Sequence, residues 1–238
     1  MPFFDGARGR MHYRRWPTDG MGVIVLLPGI GQHSGHYHRF ARTPRAMGIE
    51  VWALDTSGHG LSEGDANNPG TLTELVADAT MLVELVRSEL PEVPLILMGH
   101  SLGAVTALGT LGAAIPDPGS TTEGAVAADY PRAQSLSPGT LAGMVLSGVP
   151  KRALGGGTPG AAGSPLPETL PVLALHGVDD RRAPIDAMRV WTGRHESVDL
   201  REYSGAGHDL LHEPVHARVA ADIVEWVRGV VVGLARHR

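Results

Sequence analysis

Short apolar runs and longer amphipathic segments alternate along this chain. Runs rich in Val, Ile and Leu occupy residues 22–27, 50–54, 94–98, 142–146 and 171–175. Their length and aliphatic content predict strands buried on both faces. Residues 71–90 instead set Leu72, Leu75, Val76, Ala79, Leu82, Val83 and Val86 at helical spacing along one face. Thr71 with Glu74 forms a capping-box pattern at its start, and Pro91 stops it. A last helix is predicted from about residue 215 to 232, with Val219, Ile223, Trp226 and Val227 inward.

Strands alternating with helices imply an α/β fold with a mostly parallel central sheet and helices on both faces. Ligands of such sheets bind beyond the carboxyl ends of the strands, so the chemistry is expected just after each apolar run. Two segments fit no element. Residues 112–139 contain four prolines and read as a long excursion, and residues 151–169 include Gly155-Gly156-Gly157 and further prolines. No internal repeat or linker divides the chain, so one domain over 1–238 is expected.

Composition narrows the classes of function. At 238 residues, 42% hydrophobic and 19% charged, the chain is of ordinary globular character. A formal charge of −5 with scattered basic pairs gives no electrostatic footprint for nucleic acid or an anionic membrane. Absence of cysteine removes disulfides, thiolate nucleophiles and zinc–thiolate sites together. Neither a signal-peptide pattern nor a run of about 18 apolar residues is present, so a cytoplasmic protein without a membrane span is expected.

Gly99-His100-Ser101-Leu102-Gly103 follows the run at 94–98 and opens a helical stretch. A G-x-S-x-G pentapeptide between strand and helix is a nucleophile elbow, which makes Ser101 the candidate nucleophile. The following helix would aim its amino terminus at a developing oxyanion. A serine hydroxyl needs a base to take its proton and an acid to orient that base. His208, in the loop Gly205-Ala206-Gly207-His208-Asp209 before the last helix, is the candidate base. The acid lies among His176-Gly177-Val178-Asp179-Asp180, where two neighbouring aspartates compete. The loop Pro28-Gly29-Ile30-Gly31-Gln32-His33 after the first run would supply the second oxyanion donor, so the amides of Ile30 and Leu102 form the candidate hole.

Several ordered motifs together carry a family resemblance. The segment from Pro28 to Tyr37 resembles the oxyanion loop H-G-x-x-E-H-S-x-R-Y of the monoacylglycerol lipase, lysophospholipase and serine aminopeptidase branch of α/β-hydrolases. Asp55 to Gly64 resembles its D-x-x-G-H-G-x-S-x-G, His176 to Asp180 its H-G-x-x-D, and Gly205 to Glu213 its G-x-x-H-x-L-x-x-E. The resemblance implies the α/β-hydrolase fold and assigns the catalytic acid to Asp180. It also exposes departures. Pro28 replaces the family's histidine, and only 151–169 stands where the family inserts a helical cap, so the cap is expected to be much reduced or absent. An open site, partly covered by 112–139, follows.

Other histidines carry weaker chemistry. His33, His36 and His38 belong to the oxyanion loop by resemblance and have no carboxylate close by in sequence. His208, His212 and His216 repeat at helical spacing, but Pro214 interrupts the register, so no metal is expected. His59 reads as a residue ordering its turn, and His100 as a packing residue. The reading is a serine hydrolase of small to medium carboxylic esters, including short-chain glycerides, that needs no cofactor. Thioesterase, amidase or peptidase activity would use the same triad, and a non-catalytic binding protein would not need all three groups.

Overall fold

A computed structural model describes residues 2–112, 135–137, 139–154 and 166–236. The strands are β1 (Phe3–Gly6), β2 (Gly9–Trp16), β3 (Gly22–Leu27), β4 (Ile49–Leu54), β5 (Leu95–His100), β6 (Gly143–Ser147), β7 (Val172–Gly177) and β8 (Val198–Tyr203). The helices are α1 (His38–Ala46), α2 (Leu72–Glu89), α3 (Leu102–Gly109), α4 (Asp186–Thr192) and α5 (His216–Arg236). The strands form one sheet in the order β1-β2-β4-β3-β5-β6-β7-β8. Pairing is antiparallel for β1 with β2 and β2 with β4, and parallel from β4 through β8.

The five apolar runs are β3 to β7, and every residue of these strands is buried. Alternation within them divides the core between the two faces of the sheet. Val23, Val25 and Leu27 join the cluster that packs against α2, α3 and α4; Ile24 and Leu26 join the one that packs against α1 and α5. The predicted inner face of α2 is buried throughout, and its capping box forms: Thr71 Oγ1 accepts the Glu74 amide, and Glu74 Oε2 accepts the Thr71 amide at 2.7 Å. Of the inner face predicted for α5, Val219, Ile223 and Val227 are buried and Trp226 is half-buried against the same cluster.

Three strands lie outside the predicted runs. β1 and β2 carry Asp5, Arg10, Arg14 and Arg15, and β8 alternates Asp199 and Arg201 with apolar residues. β1 and β8 are the edges of the sheet, where charge is compatible with exposure and blocks pairing with another chain, and β2, between β1 and β4, keeps Arg10 and Arg15 exposed.

The two irregular segments are partly described. Leu136 donates its amide to the Thr110 carbonyl at 2.8 Å, so the 112–139 excursion leaves and rejoins the fold at the far end of α3 from Ser101. Of 151–169, Lys151–Leu154 forms one 3₁₀ turn, and Ala153, Leu154 and Leu166 are buried in the core. Residues 113–134, 138 and 155–165 lie outside the described residues, so the expected cover by 112–139 falls outside them too. Among the described residues, no helical cap stands between β6 and β7, and no helix is long and apolar enough to cross a membrane.

Candidate active site

The parallel strands deliver their loops to one edge of the sheet. β5 ends at His100, and Ser101 turns the chain into α3 with φ 51° and ψ −111°. It is the one non-glycine residue with positive φ among the described residues. Such a conformation is strained for an L residue and persists only where its surroundings enforce it. Here the Ser101 amide donates to Ser147 at the end of β6, 2.9 Å away, and the Ser101 carbonyl accepts from Ala104 and Val105. The flanking glycines are sterically required. A Cβ at position 99 would sit 2.3 Å from the Gly103 carbonyl oxygen, and one at 103 would sit 2.0 Å from that of Leu27.

His208 lies in the loop between β8 and α5. Its Nε2 is 2.9 Å from Ser101 Oγ, and its Nδ1 is 2.7 Å from Asp180 Oδ2. A carboxylate accepts only, so Nδ1 carries the hydrogen and Nε2 turns its lone pair to the serine hydroxyl. Of the two neighbouring aspartates, Asp179 is exposed and Asp180 is 4% exposed. The other oxygen of Asp180 accepts the amides of Arg182 at 2.8 Å and Ala183 at 2.9 Å, which fixes the carboxylate toward the imidazole.

His176, wholly buried at the end of β7, shapes the same turn. Burial lowers its basicity against the pull of the Ala183 carbonyl and Asp180. Its Nε2 donates to the Ala183 carbonyl at 2.6 Å, and its Nδ1 has no partner among the described residues.

Of the two amides expected at the oxyanion hole, that of Leu102 directly follows Ser101, and the loop carrying Ile30 approaches at Gly29, where a Cβ would stand 3.3 Å from Ser101 Cβ. Leu102 opens α3, where first-turn amides lack an intrahelical acceptor. Residues 29–32 form a turn closed by the Gln32 amide on the Gly29 carbonyl at 3.0 Å, with Gly31 at φ 77°. A positive φ at the third position is the type II turn, which favours glycine there. The Gly31 amide donates to His59 Nε2 at 3.0 Å, whereas the Ile30 amide has no partner among the described residues. Asp55, buried below, accepts from the Ser34 amide at 2.6 Å, the Leu61 amide at 2.9 Å and His12 at 2.8 Å. Burial pushes the Asp55 carboxyl up, but these donors outweigh it and hold it below the usual carboxylate range.

The loop histidines are spent on local structure. His33 Nδ1 accepts the Gly35 amide at 3.2 Å, and His36 Nδ1 accepts the His33 amide at 3.4 Å. Among the described residues no group of three His, Asp or Glu side chains could hold a metal.

Sequence reasoning overlooked two acidic residues beside the base. Glu213 accepts the amides on either side of His208, from Gly207 at 2.6 Å and from Asp209 at 3.0 Å. Asp209 meets His100, whose Nε2 is 3.0 Å from Asp209 Oδ1; His100 is buried as a packing residue would be, yet it also makes this polar contact. The spacing of Glu213 from His208 was visible as part of a motif. Nothing local to position 209 announces its partner.

Residues 19–129 match the family described as Serine aminopeptidase, S33. Over an alignment covering 94% of this chain and 95% of the relative, the chain is 30% identical to a monoacylglycerol lipase of Mycolicibacterium smegmatis. Among solved structures it resembles a monoacylglycerol lipase of Paleococcus ferrophilus (TM-score 0.65, 20% identity, 93% and 98% of the two chains). It also resembles Est1E of Butyrivibrio proteoclasticus (TM-score 0.72, 15% identity, 98% and 100%). The chain belongs to the α/β-hydrolase family, in the branch that holds the monoacylglycerol lipases, and is a carboxylic ester hydrolase.

Proposed function

We propose that this chain, acting as a single hydrolase domain, cleaves small to medium carboxylic esters through an acyl-enzyme on Ser101. The observation that carries the reading is the unbroken contact from Ser101 Oγ to His208 Nε2 and from His208 Nδ1 to Asp180 Oδ2. In this reading Ser101 Oγ attacks the ester carbonyl carbon while its proton passes to His208 Nε2. The carbonyl oxygen becomes an oxyanion held by the amides of Leu102 and Ile30. Collapse breaks the bond to the leaving alkoxide, which takes the proton from His208 and departs as the alcohol. Water then attacks the acyl carbon, gives a proton to His208, and the acid leaves as Ser101 recovers its hydrogen. Asp180 holds the ring in the working tautomer and stabilises the imidazolium.

Preference for smaller esters is supported by the length of residues 151–169, too short for the several helices of the family's cap. The monoacylglycerol lipase relative supports a glycerol leaving group.

The test is labelling with a fluorophosphonate followed by intact-mass measurement. One phosphonyl adduct on wild type and none on Ser101→Ala is expected. A folded wild type that takes no adduct would overturn the reading.

A further inference from the structure

The carboxylate of Asp209, one residue beyond the base, collects donors from two other loops. Gln32 Nε2 donates to Oδ1 at 2.9 Å, and His100 Nε2 lies 3.0 Å from the same oxygen. Gln32 comes from the loop that carries Ile30, and His100 immediately precedes Ser101. The hydrogen bond from His100 leads the groups that hold the Asp209 acid down to about 2 against the opposing effect of burial, so the side chain is an acceptor only. That fixes the hydrogen on His100 Nε2 and turns the Gln32 amide nitrogen toward Asp209. The buried Tyr37 hydroxyl then donates to Gln32 Oε1, and burial raises the phenol's pKa so that it keeps its proton. The chain of donors runs one way, from Tyr37 through Gln32 and from His100, and ends on one oxygen atom.

The backbone around the base is fixed from the other side. Glu213 binds the amides of Gly207 and Asp209, so the backbone is tethered at both neighbours of His208. His208 and Arg182 also act on the Asp209 charge; Arg182 is mostly exposed, with its guanidinium 3.9 Å from Asp209 Oδ2. Arg182 is too distant and too solvated to replace the two hydrogen bonds.

We propose that Asp209 is a positioning residue, which ties the oxyanion loop, the nucleophile elbow and the base loop into one unit through Gln32 and His100. The proposal rests on the reading of Ser101 as nucleophile and His208 as base. It adds that the distances among the Ile30 amide, Ser101 Oγ and His208 Nε2 depend on a side chain that touches no substrate. A displacement of an ångström among such groups is enough to slow the chemical step while leaving ground-state binding intact.

The test is steady-state hydrolysis of 4-nitrophenyl butyrate by the full chain and its variants, with thermal melts to verify folding. Asp209→Ala is expected to lower kcat about 10- to 100-fold with KM within about threefold of wild type. Asp209→Asn keeps an Oδ1 acceptor for both donors and is expected to return kcat to within about fivefold of wild type. Gln32→Ala alone lowers kcat about three- to tenfold, and in the Asp209→Ala background costs nothing more, because both act through one contact.

Wild-type kcat in Asp209→Ala would overturn the proposal. So would an Asp209→Asn as slow as the alanine variant, or fully additive losses. If Asp209→Ala fails to fold, Gln32→Ala decides by itself, since wild-type kcat there removes the link to the oxyanion loop. Ser101→Ala separates the two readings. If it is inactive while Asp209→Ala is unimpaired, only the positioning role falls; if it retains activity, the nucleophile reading falls first.

Discussion

His59 Nε2 accepts the backbone N–H of Gly31 at 3.0 Å, and its Nδ1 donates to the Ser57 carbonyl at 2.9 Å. The loop after β4 therefore sets the conformation of the loop after β3. Because the ring hydrogen is on Nδ1, the nitrogen that meets Gly31 is an obligate acceptor. With the Gly31 amide so engaged, the Ile30 amide is left without a partner among the described residues, as the proposed oxyanion role requires.

His59→Ala is expected to release this turn and lower kcat about tenfold or more, since a misaimed oxyanion donor costs on the order of 10²-fold. His59→Gln offers an oxygen acceptor and should recover part of the loss. Steady-state kinetics on a chromogenic ester check both. A KM increase at unchanged kcat would show that the contact serves binding and not the oxyanion.

Asp179 and Asp180 are adjacent in sequence and opposite in environment. In Asp180→Asn the amide nitrogen would face His208 Nδ1 and drive the hydrogen to Nε2, where it blocks proton uptake from Ser101. The loss in kcat is expected to be about 10³- to 10⁴-fold with the fold retained. Asp179 is exposed, so Asp179→Asn should stay within about twofold of wild type. Parallel kinetics of the two variants distinguish these positions; comparable losses would contradict the assignment.

The central sheet was legible because β3 to β7 are buried on both faces and must be apolar without interruption. β1, β2 and β8 were not, because charges interrupt their apolar runs: β1 and β8 are edge strands, and β2 beside β1 keeps Arg10 and Arg15 exposed. The candidate triad was legible for a different reason. Each member sits in a short glycine-containing loop whose backbone demands leave a local pattern. Asp209 left none: its partners Gln32 and His100 are 177 and 109 residues away, and only the sheet order brings them together. His100 was read as packing because burial and hydrogen bonding are not exclusive, and sequence reports only the first.

The elbow's second glycine makes a stability prediction. In Gly103→Ala the new methyl would stand 2.0 Å from the Leu27 carbonyl oxygen and 2.7 Å from that of Pro28. Both obstacles are backbone atoms of β3 and the oxyanion loop, so α3 must shift bodily. Destabilisation of about 2–4 kcal/mol is expected. Gly229→Ala in α5 is the control, because nothing lies within 4 Å of its Cβ; a gain of about 0.5–1 kcal/mol is expected there. Urea titrations measure both, and a neutral Gly103→Ala would mean that the elbow is less tightly packed than the geometry requires.

Asp78 on α2 is 2% exposed and accepts the Ala7 amide at 2.7 Å, holding the β1–β2 hairpin to the helix. Burial pushes its carboxyl up to about 6, the Ala7 bond and Arg8 offsetting only part of this and Glu74 adding to it. Since the folded-state value is raised, the folded protein holds this proton more tightly than the unfolded chain does. The associated stability is therefore present below the ordinary carboxylate range and is lost as pH rises through about 6. Above that point the folded state carries an ionised buried carboxylate, at a cost of about 2–3 kcal/mol. Asp78→Asn keeps an acceptor for Ala7 and removes the ionisation. The variant should be more stable than wild type by about 1–3 kcal/mol near pH 8, and the difference should vanish near pH 4. Chemical denaturation at the two pH values reads this directly. A variant less stable than wild type at the higher pH would mean that the charge itself, and not only the acceptor, holds the hairpin in place.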